Sequence, residues 1–206
     1  MFFPFSSQHL TISTQRYQEL YLEFIQSFLT SRSTANAEHV IYCDACLEGM
    51  VFWYPQEPIA SGFYSAVPLN IPEQFIFYYE ALCILSAFHH AANTSQMPIC
   101  ITIYTDNSNT FDIFNSLQAL PAYNHILKSM VDVLIHTNHQ LRVLLVPGIE
   151  NNIADALSRQ QFLYALATCP SLTISIFEPP QLPLGAVKKM ITSVSSSRQP
   201  LCPSWT

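Results

Sequence analysis

Residues 39–67 hold three short hydrophobic runs in close succession, HVIYCDACLEGMVFWYPQEPIASGFYSAV. Each run is rich in aromatic and β-branched residues, which favour extended strands, and the short turns LEG and PQEP separate the runs. The pattern predicts strands at His39–Ala45, Val51–Tyr54 and Ile59–Val67. Because short turns join consecutive strands, the stretch predicts an antiparallel meander.

The chain beyond the meander alternates helical and strand periodicity. Strands are predicted at Ile99–Thr105 and Leu141–Val146, and helices at about 72–92, 107–117, 122–136 and 151–167. The resulting order, βββαβααβα, predicts an α/β domain. Its five-stranded mixed sheet would have three antiparallel strands, then two parallel ones, and helices on both faces.

Two flanking segments differ from this domain in composition. Residues 1–36 carry an amphipathic helical stripe between Tyr17 and Leu29, followed by a polar linker, SRSTANA. Residues 168–206 are rich in proline and serine and lack sustained periodicity beyond LTISIF, so we predict a linker there. The domain itself is expected to occupy residues 37–167.

The charge balance limits the partners of the chain. Half of the residues are hydrophobic, only 11% are charged, and the formal net charge is −6. Between residues 37 and 160 there are eleven acids but only three basic residues, Lys128, Arg142 and Arg159. Proteins that bind nucleic acids usually present a basic surface. Binding here would therefore need metal ions, uncharged hydrogen-bond donors or a basic partner.

The cysteines and hydrophobic segments bear on location. Six cysteines are present, and Cys43 and Cys46 have no second pair at zinc spacing, which favours buried thiols of an intracellular protein. No segment has the features of a signal peptide or a membrane span. We therefore expect no membrane association, and a cytoplasmic or nuclear protein.

Four acids lie in otherwise uncharged, hydrophobic stretches: Asp44 in HVIYCDAC, Glu80 in FIFYYEALCILSAF, Asp106 in ITIYTDNSNT and Asp155 in NNIADALSR. An unpaired carboxylate in an apolar interior costs several kcal/mol unless something compensates for its charge. We expect no lysine or arginine to pair with these acids. Clustered carboxylates are the ligands that Mg²⁺ prefers, so the acids predict a divalent-metal site.

Taken together and in order, the motifs YCDAC, YYEAL, YTDNSNT and ADALSR resemble the ribonuclease H domain of retrotransposon reverse transcriptases. The last of them, within VPGIENNIADALSR, is similar to DIRS-like and related elements. The resemblance covers about residues 37–167 and implies a ribonuclease H-like fold. It also implies that Asp44, Glu80, Asp106 and Asp155 bind two Mg²⁺ ions, with Mn²⁺ as an alternative. The implied reaction is hydrolysis of the RNA strand of RNA–DNA hybrids.

The resemblance also implies partners. Asn107, Ser108 and Asn109 follow Asp106 at a predicted helix start, where they could donate hydrogen bonds to phosphates or sugars of the hybrid. A reverse transcriptase domain of the same element is an implied partner. The tail FEPPQLPLGAVKK resembles a linker that precedes a recombinase domain, so the chain is interpreted as a polyprotein fragment.

Several alternatives stay open at this point. Glu80 could be a surface acid, Asp106 a helix N-cap, and Asp155 a carboxylate favoured by the helix dipole, while Asn107 to Asn109 could form a plain cap. The whole domain could be a catalytically silent structural module. A resolvase or transposase is a further alternative, the latter disfavoured because the last helix carries an aspartate rather than a glutamate.

Overall fold

The computed structural model describes residues 39–56, 59–68 and 75–180. The amphipathic helix predicted within residues 1–36 lies outside the described residues, as does the tail from residue 181. Both therefore stay predictions. In the described part of the chain, no helix is both long and apolar enough to span a bilayer.

The described residues form six strands and five α-helices. The strands are β1 (His39–Ala45), β2 (Gly49–Tyr54), β3 (Ser61–Ala66), β4 (Cys100–Thr105), β5 (Gln140–Leu145) and β6 (Thr173–Ile176). The helices are α1 (Ile76–Thr94), α2 (Ser108–Ser116), α3 (Asn124–Thr137), α4 (Asn152–Ser158) and α5 (Phe162–Thr168). A short 3₁₀ turn, Gly148–Glu150, precedes α4.

All six strands belong to one mixed sheet in the order β5-β4-β1-β2-β3-β6. β1, β2 and β3 pair in antiparallel fashion, whereas β4 and β5 continue the sheet in parallel from β1. The predicted meander followed by two parallel strands is therefore confirmed. The predicted number of five strands is wrong, because β6 adds a parallel strand beside β3.

The sixth strand lies in the segment predicted to be a linker. Its backbone joins the sheet through Thr173 N–H to the Ala60 carbonyl at 2.9 Å and Phe177 N–H to the Tyr64 carbonyl at 3.0 Å. Directly before it, Leu172 is buried in a cluster with Val51 and other side chains of the sheet and of α4. The sequence LTISIF alternates apolar and polar residues here, but the run is short and lies in a proline- and serine-rich tail, whose composition predicts a linker. The sheet thus extends past the predicted domain boundary at residue 167.

Replacing Leu172 by alanine should lower the free energy of unfolding by about 2 kcal/mol or more, since it removes a large side chain from a packed cluster. Ile176→Ala is a matched control, because Ile176 is 86% exposed whereas Leu172 is 5% exposed. That control should change stability by less than about 0.5 kcal/mol. Chemical denaturation measures both values. Equally small effects would show that this segment does not dock onto the sheet.

Helices cover both faces of the sheet. Alternate side chains of a strand point to opposite faces, and β2 shows this directly. Phe52 contacts His90 of α1 on one face, whereas Val51 and Trp53 pack with Leu157 of α4 on the other. The core therefore has two layers, one on each side of the sheet.

The last helix differs from its prediction. A single helix was expected over residues 151–167, but α4 ends at Ser158 and α5 begins at Phe162. Gln160 between them has a left-handed backbone, with φ of 58°, which interrupts the helix. Both helices place apolar residues in the same cluster, including Leu157 and Ala165. The hydrophobic periodicity of residues 151–167 therefore continues through Gln160 and gives no sign that the helix is interrupted there.

Candidate active site

Asp44 lies near the carboxyl end of β1, an interior strand that pairs in parallel with β4 and antiparallel with β2. Its side chain is only 6% exposed. The hydroxyl of Ser158, at the end of α4, donates a hydrogen bond to its Oδ2 at 2.5 Å. A buried carboxylate is thus held by an uncharged donor rather than by a lysine or arginine.

Asp106 directly follows β4, the parallel neighbour of β1. Tyr42 pairs with Tyr104 in the register of these strands, so Asp44 and Asp106 lie at the same end of the sheet, two residues further on. Asp106 is exposed, and the amide of Asn151 donates to its Oδ1 at 3.3 Å. A Cβ atom on Gly148 would lie 3.2 Å from its Oδ2, so the glycine allows this close approach.

Glu80 lies in the second turn of α1 and is 6% exposed. The side-chain amide of Asn107 donates a hydrogen bond to it. Because Asn107 is the neighbour of Asp106 in sequence, this bond brings Glu80 to the sheet end that carries the other acids. The alternative of a surface acid is therefore contradicted.

Asp155 lies in the first turn of α4 and is about half exposed. Its Oδ1 accepts a hydrogen bond from Nε of Arg159 at 2.7 Å, one helical turn away. The expectation that no basic residue pairs with the acids is wrong for this carboxylate. Arg159 therefore offsets the negative charge of Asp155. Because the pair is exposed, it adds little to the stability of the fold.

Electrostatic interactions connect the four acids. Burial raises the pKa of Asp44 to about 6; the Ser158 hydrogen bond opposes the rise, Asp106 and Asp155 add to it, and Arg159 opposes it. Burial also raises the pKa of Glu80 well above its usual range, with further increases from Asp44, Cys83 and Asp106. Burial is thus the main cause of both rises, and the like charges of the neighbouring acids add to it, in the direction predicted.

The cap of α2 is Asn107, not Asp106. Its Oδ1 accepts hydrogen bonds from the Thr110 backbone N–H at 3.0 Å and from the Thr110 hydroxyl at 3.1 Å. Asp106 is therefore left available for chemistry. Asn107 both caps the helix and orients Glu80, while Ser108 and Asn109 are exposed at the helix start.

Three further residues belong to this region and were not singled out from the sequence: Gly148, Asn151 and Ser158. Asn151 donates to the Cys43 carbonyl at 3.0 Å as well as to Asp106. Its buried Oδ1 has no hydrogen-bond partner among the described residues. All three stand in or beside the motif VPGIENNIADALSR, so its polar positions were the available signal.

A groove of about 580 Å³ lies between α1, α2 and the loop that follows α2, and none of the four candidate acids lines it. Phe77, one turn before Glu80, lines it at one side, and Tyr123 lines it at another. Asn109 and Asp112 supply polar groups to the same groove. The groove therefore combines aromatic surface with an amide, which can donate and accept hydrogen bonds, and a carboxylate, which accepts them.

The chemistry of the donor set, but not its spacing in this structure, suits a hard divalent cation. Carboxylate oxygens are the ligands that Mg²⁺ prefers, and a cation would offset the burial, and the smaller repulsion from Asp106 and Asp155, that raise the pKa of Asp44. Among residues 39–56, 59–68 and 75–180, no three His, Cys, Asp or Glu side chains lie close enough to hold one ion. Ser158 and Arg159 engage two of the four carboxylates instead.

No protein-family model matches the sequence, and no curated protein matches it. Two solved ribonuclease H1 structures are similar to the chain. One, from the halophilic archaeon Halobacterium salinarum NRC-1, is 14% identical, with a TM-score of 0.46, and the match covers 64% of this chain and 98% of that chain. The other, LC11-RNase H1 in complex with an RNA/DNA hybrid, is 13% identical, with a TM-score of 0.48, and covers 63% and 99%.

The fold class rests on the strand order and strand directions of the sheet itself. Three antiparallel strands continue into two parallel ones, with helices on both faces and with Asp44 and Asp106 at the carboxyl ends of β1 and β4. This is the ribonuclease H-like architecture that the four motifs predict, with β6 added at one edge.

Proposed function

We propose that the chain is a metal-dependent endonuclease of the ribonuclease H type, which hydrolyses the RNA strand of RNA–DNA hybrids. The observation that carries the proposal is geometric: Asp44 and Asp106 lie at the same end of two neighbouring parallel strands, and Ser158 of the helix that carries Asp155 is hydrogen-bonded to Asp44. Glu80 lies close enough to Asp44 and Asp106 for their charges to raise its pKa further, beyond the rise caused by burial. Burial makes two of the carboxylates, Asp44 and Glu80, costly, and a divalent-metal site is the chemistry that would account for all four acids.

In this proposal Asp44, Glu80, Asp106 and Asp155 hold two Mg²⁺ ions. Such ions supply an activated water and stabilise the leaving oxygen in phosphodiester hydrolysis. Asp44 and Asp106 lie at the ends of neighbouring strands, so the sheet limits their relative movement. Asn107 orients Glu80, and Ser158 orients Asp44, so the two buried acids are the more rigid pair.

Substrate contacts are assigned to the start of α2 and the groove beside it. Ser108 and Asn109 are exposed there, and together with Asn107 they form the predicted substrate-binding segment. Uncharged donors suit recognition of 2′-hydroxyls and sugars, which distinguishes RNA from DNA. Phe77 and Tyr123 offer aromatic surface on which a base or a sugar can pack.

The proposal is tested with a hybrid that carries a label on its RNA strand. We expect Mg²⁺-dependent cleavage of that strand and no cleavage of the same RNA alone or of duplex DNA. Titration with Mn²⁺ in place of Mg²⁺ should also restore activity after treatment with a chelator. Cleavage that persists in the chelator would contradict the metal-dependent mechanism.

We also expect the chain to bind the hybrid with a shallow dependence on salt. Arg159 is paired with Asp155, and Lys128 and Arg142 are the other basic residues between positions 37 and 160. Two or three neutralised phosphates correspond to a logarithmic salt slope of about −2. Fluorescence anisotropy with Ca²⁺ replacing Mg²⁺ measures the slope without cleavage. A slope of about −6 would show that unrecognised basic surface dominates binding.

A catalytically silent structural module is the second candidate. The Asp155–Arg159 ion pair and the open spacing of the acids favour it. The two candidates differ in their response to Mg²⁺. A silent module should show no Mg²⁺-dependent increase in hybrid affinity and no cleavage, whereas the nuclease shows both.

The retroelement origin is a separate proposal that rests on the four motifs. It places a reverse transcriptase domain before this chain and a recombinase domain after it as partners. A basic polymerase domain would supply the positive charge that the region between residues 37 and 160 lacks. Fusion to such a domain should tighten hybrid binding without changing the dependence on Mg²⁺.

A further inference from the structure

Ser158 is the last residue of α4 and is fully buried, with 0% of its surface exposed. Its hydroxyl lies 2.5 Å from Oδ2 of Asp44 and 2.9 Å from the backbone carbonyl oxygen of Asp155. A serine hydroxyl has one proton, so it donates to one of these acceptors at a time. The carboxylate oxygen is the nearer and the stronger acceptor, so the Ser158 hydroxyl donates its hydrogen bond to Asp44.

The backbone around Ser158 is held against β1 by further contacts. The thiol of Cys46, two residues after Asp44, donates to the Ser158 carbonyl at 3.1 Å. At the other end of α4, Asn151 donates to the Cys43 carbonyl at 3.0 Å. Both ends of α4, the helix that carries Asp155, are therefore attached to β1 or to the residue that directly follows it.

Gly49 makes room for this arrangement. A Cβ atom at Gly49 would lie 3.0 Å from the Ser158 carbonyl oxygen and 2.3 Å from the ring of Tyr64. Any larger residue at the start of β2 would push one of these groups away. The close approach of α4 to the sheet thus depends on the absence of a side chain at Gly49, next to the Ser158 carbonyl.

We propose that Ser158 is a positioning residue that holds the Asp44 carboxylate in one orientation, with Oδ2 engaged and Oδ1 left for a divalent cation. This inference rests on the proposed function, because it concerns the same acids. In this role Ser158 fixes the metal ligand Asp44 and does not itself act on the substrate. Hydrogen-bonding partners of metal ligands typically contribute about 10- to 100-fold to metal affinity.

Ser158→Ala tests the inference, and Ser86→Ala is the matched control. Ser86 is also a buried serine on a helix, but its hydroxyl donates to the Leu82 carbonyl at 2.7 Å. The first measurement is made without metal: three-bond couplings of the Asp44 side chain report whether it occupies one χ1 rotamer. The second is Mg²⁺ affinity, measured by calorimetry on the full chain.

We expect a single Asp44 rotamer in the unaltered chain and in Ser86→Ala, and rotamer averaging in Ser158→Ala. Mg²⁺ affinity should fall about 10-fold or more in Ser158→Ala and stay within about twofold in Ser86→Ala. An unchanged rotamer, or an unchanged affinity, in Ser158→Ala overturns the inference. If the unaltered chain binds no Mg²⁺, the proposed function fails, whereas rotamer averaging in Ser158→Ala still supports the positioning of Asp44.

Discussion

Replacing Asp44 by asparagine should abolish cleavage of an RNA–DNA hybrid, with a fall in rate of about 1000-fold or more. Loss of a carboxylate that holds a catalytic metal removes several kcal/mol of transition-state stabilisation, and each 1.36 kcal/mol corresponds to a factor of ten. Asparagine keeps the size of the side chain and an oxygen that can accept the Ser158 hydrogen bond. The change therefore tests charge rather than packing. Single-turnover cleavage of a labelled hybrid measures it.

Asp132→Asn is the control for this variant. Asp132 is an exposed acid of α3, a helix that carries none of the four candidate acids. The same change of charge at this position should leave the cleavage rate within about twofold, as expected for a surface substitution. Equal activity of the Asp44 and Asp132 variants would remove Asp44 from the proposed mechanism.

The same substitution at Asp44 should increase the stability of the metal-free chain at neutral pH. Folding raises the pKa of Asp44 from 3.8 to about 6, so the folded state favours the protonated acid. The stabilisation from this group is fully present below about pH 3.8 and is lost as the pH rises through about 6. A shift of about two pKa units corresponds to about 3 kcal/mol by linkage.

Asp44→Asn should therefore match the unaltered chain in stability near pH 4 and exceed it by up to about 3 kcal/mol above pH 6. Urea denaturation in a chelator at several pH values measures the difference. Taking the difference between two variants removes the contribution of His89, His90 and His125, whose pKa values burial lowers. Addition of Mg²⁺ should narrow the gap, because an ion stabilises only the chain that retains the carboxylate.

A stability difference between the two chains that does not change between pH 4 and pH 8 would show that folding does not raise the pKa of Asp44. A gap of the opposite sign would show that its charge stabilises the fold, as in an ordinary ion pair. Either result would weaken the case for a site in which carboxylates are maintained at a cost to stability.

The arrangement of strands was predictable because each strand shows its own local pattern. Alternating or continuous hydrophobic runs of about four to nine residues mark β1 to β5, and short turns allow only antiparallel pairing in the meander. The acids were predictable for a related reason. A charge within a hydrophobic run is conspicuous in the sequence itself, so Asp44, Glu80, Asp106 and Asp155 could be singled out without knowledge of their neighbours.

The partners of those acids could not be predicted, because they come from distant parts of the chain. Ser158 contacts Asp44 across 114 positions, and Asn151 reaches Asp106 across 45. No local pattern identifies a serine or an asparagine as such a donor. The pairing depends on how closely α4 packs against β1, which the folded chain alone establishes.

The same distinction explains the errors at the end of the domain. The hydrophobic pattern of residues 151–167 continues through Gln160, because α4 and α5 pack into one cluster, but a left-handed residue breaks the helix. β6 lies in LTISIF, whose alternation is short and stands in a proline-rich tail, and the strand forms because Leu172 docks beside it and β3 offers an edge. Local hydrophobic order thus specifies which segments become strands, helices and acid-bearing positions. Long-range packing and backbone pairing specify where those segments end and which groups surround each acid.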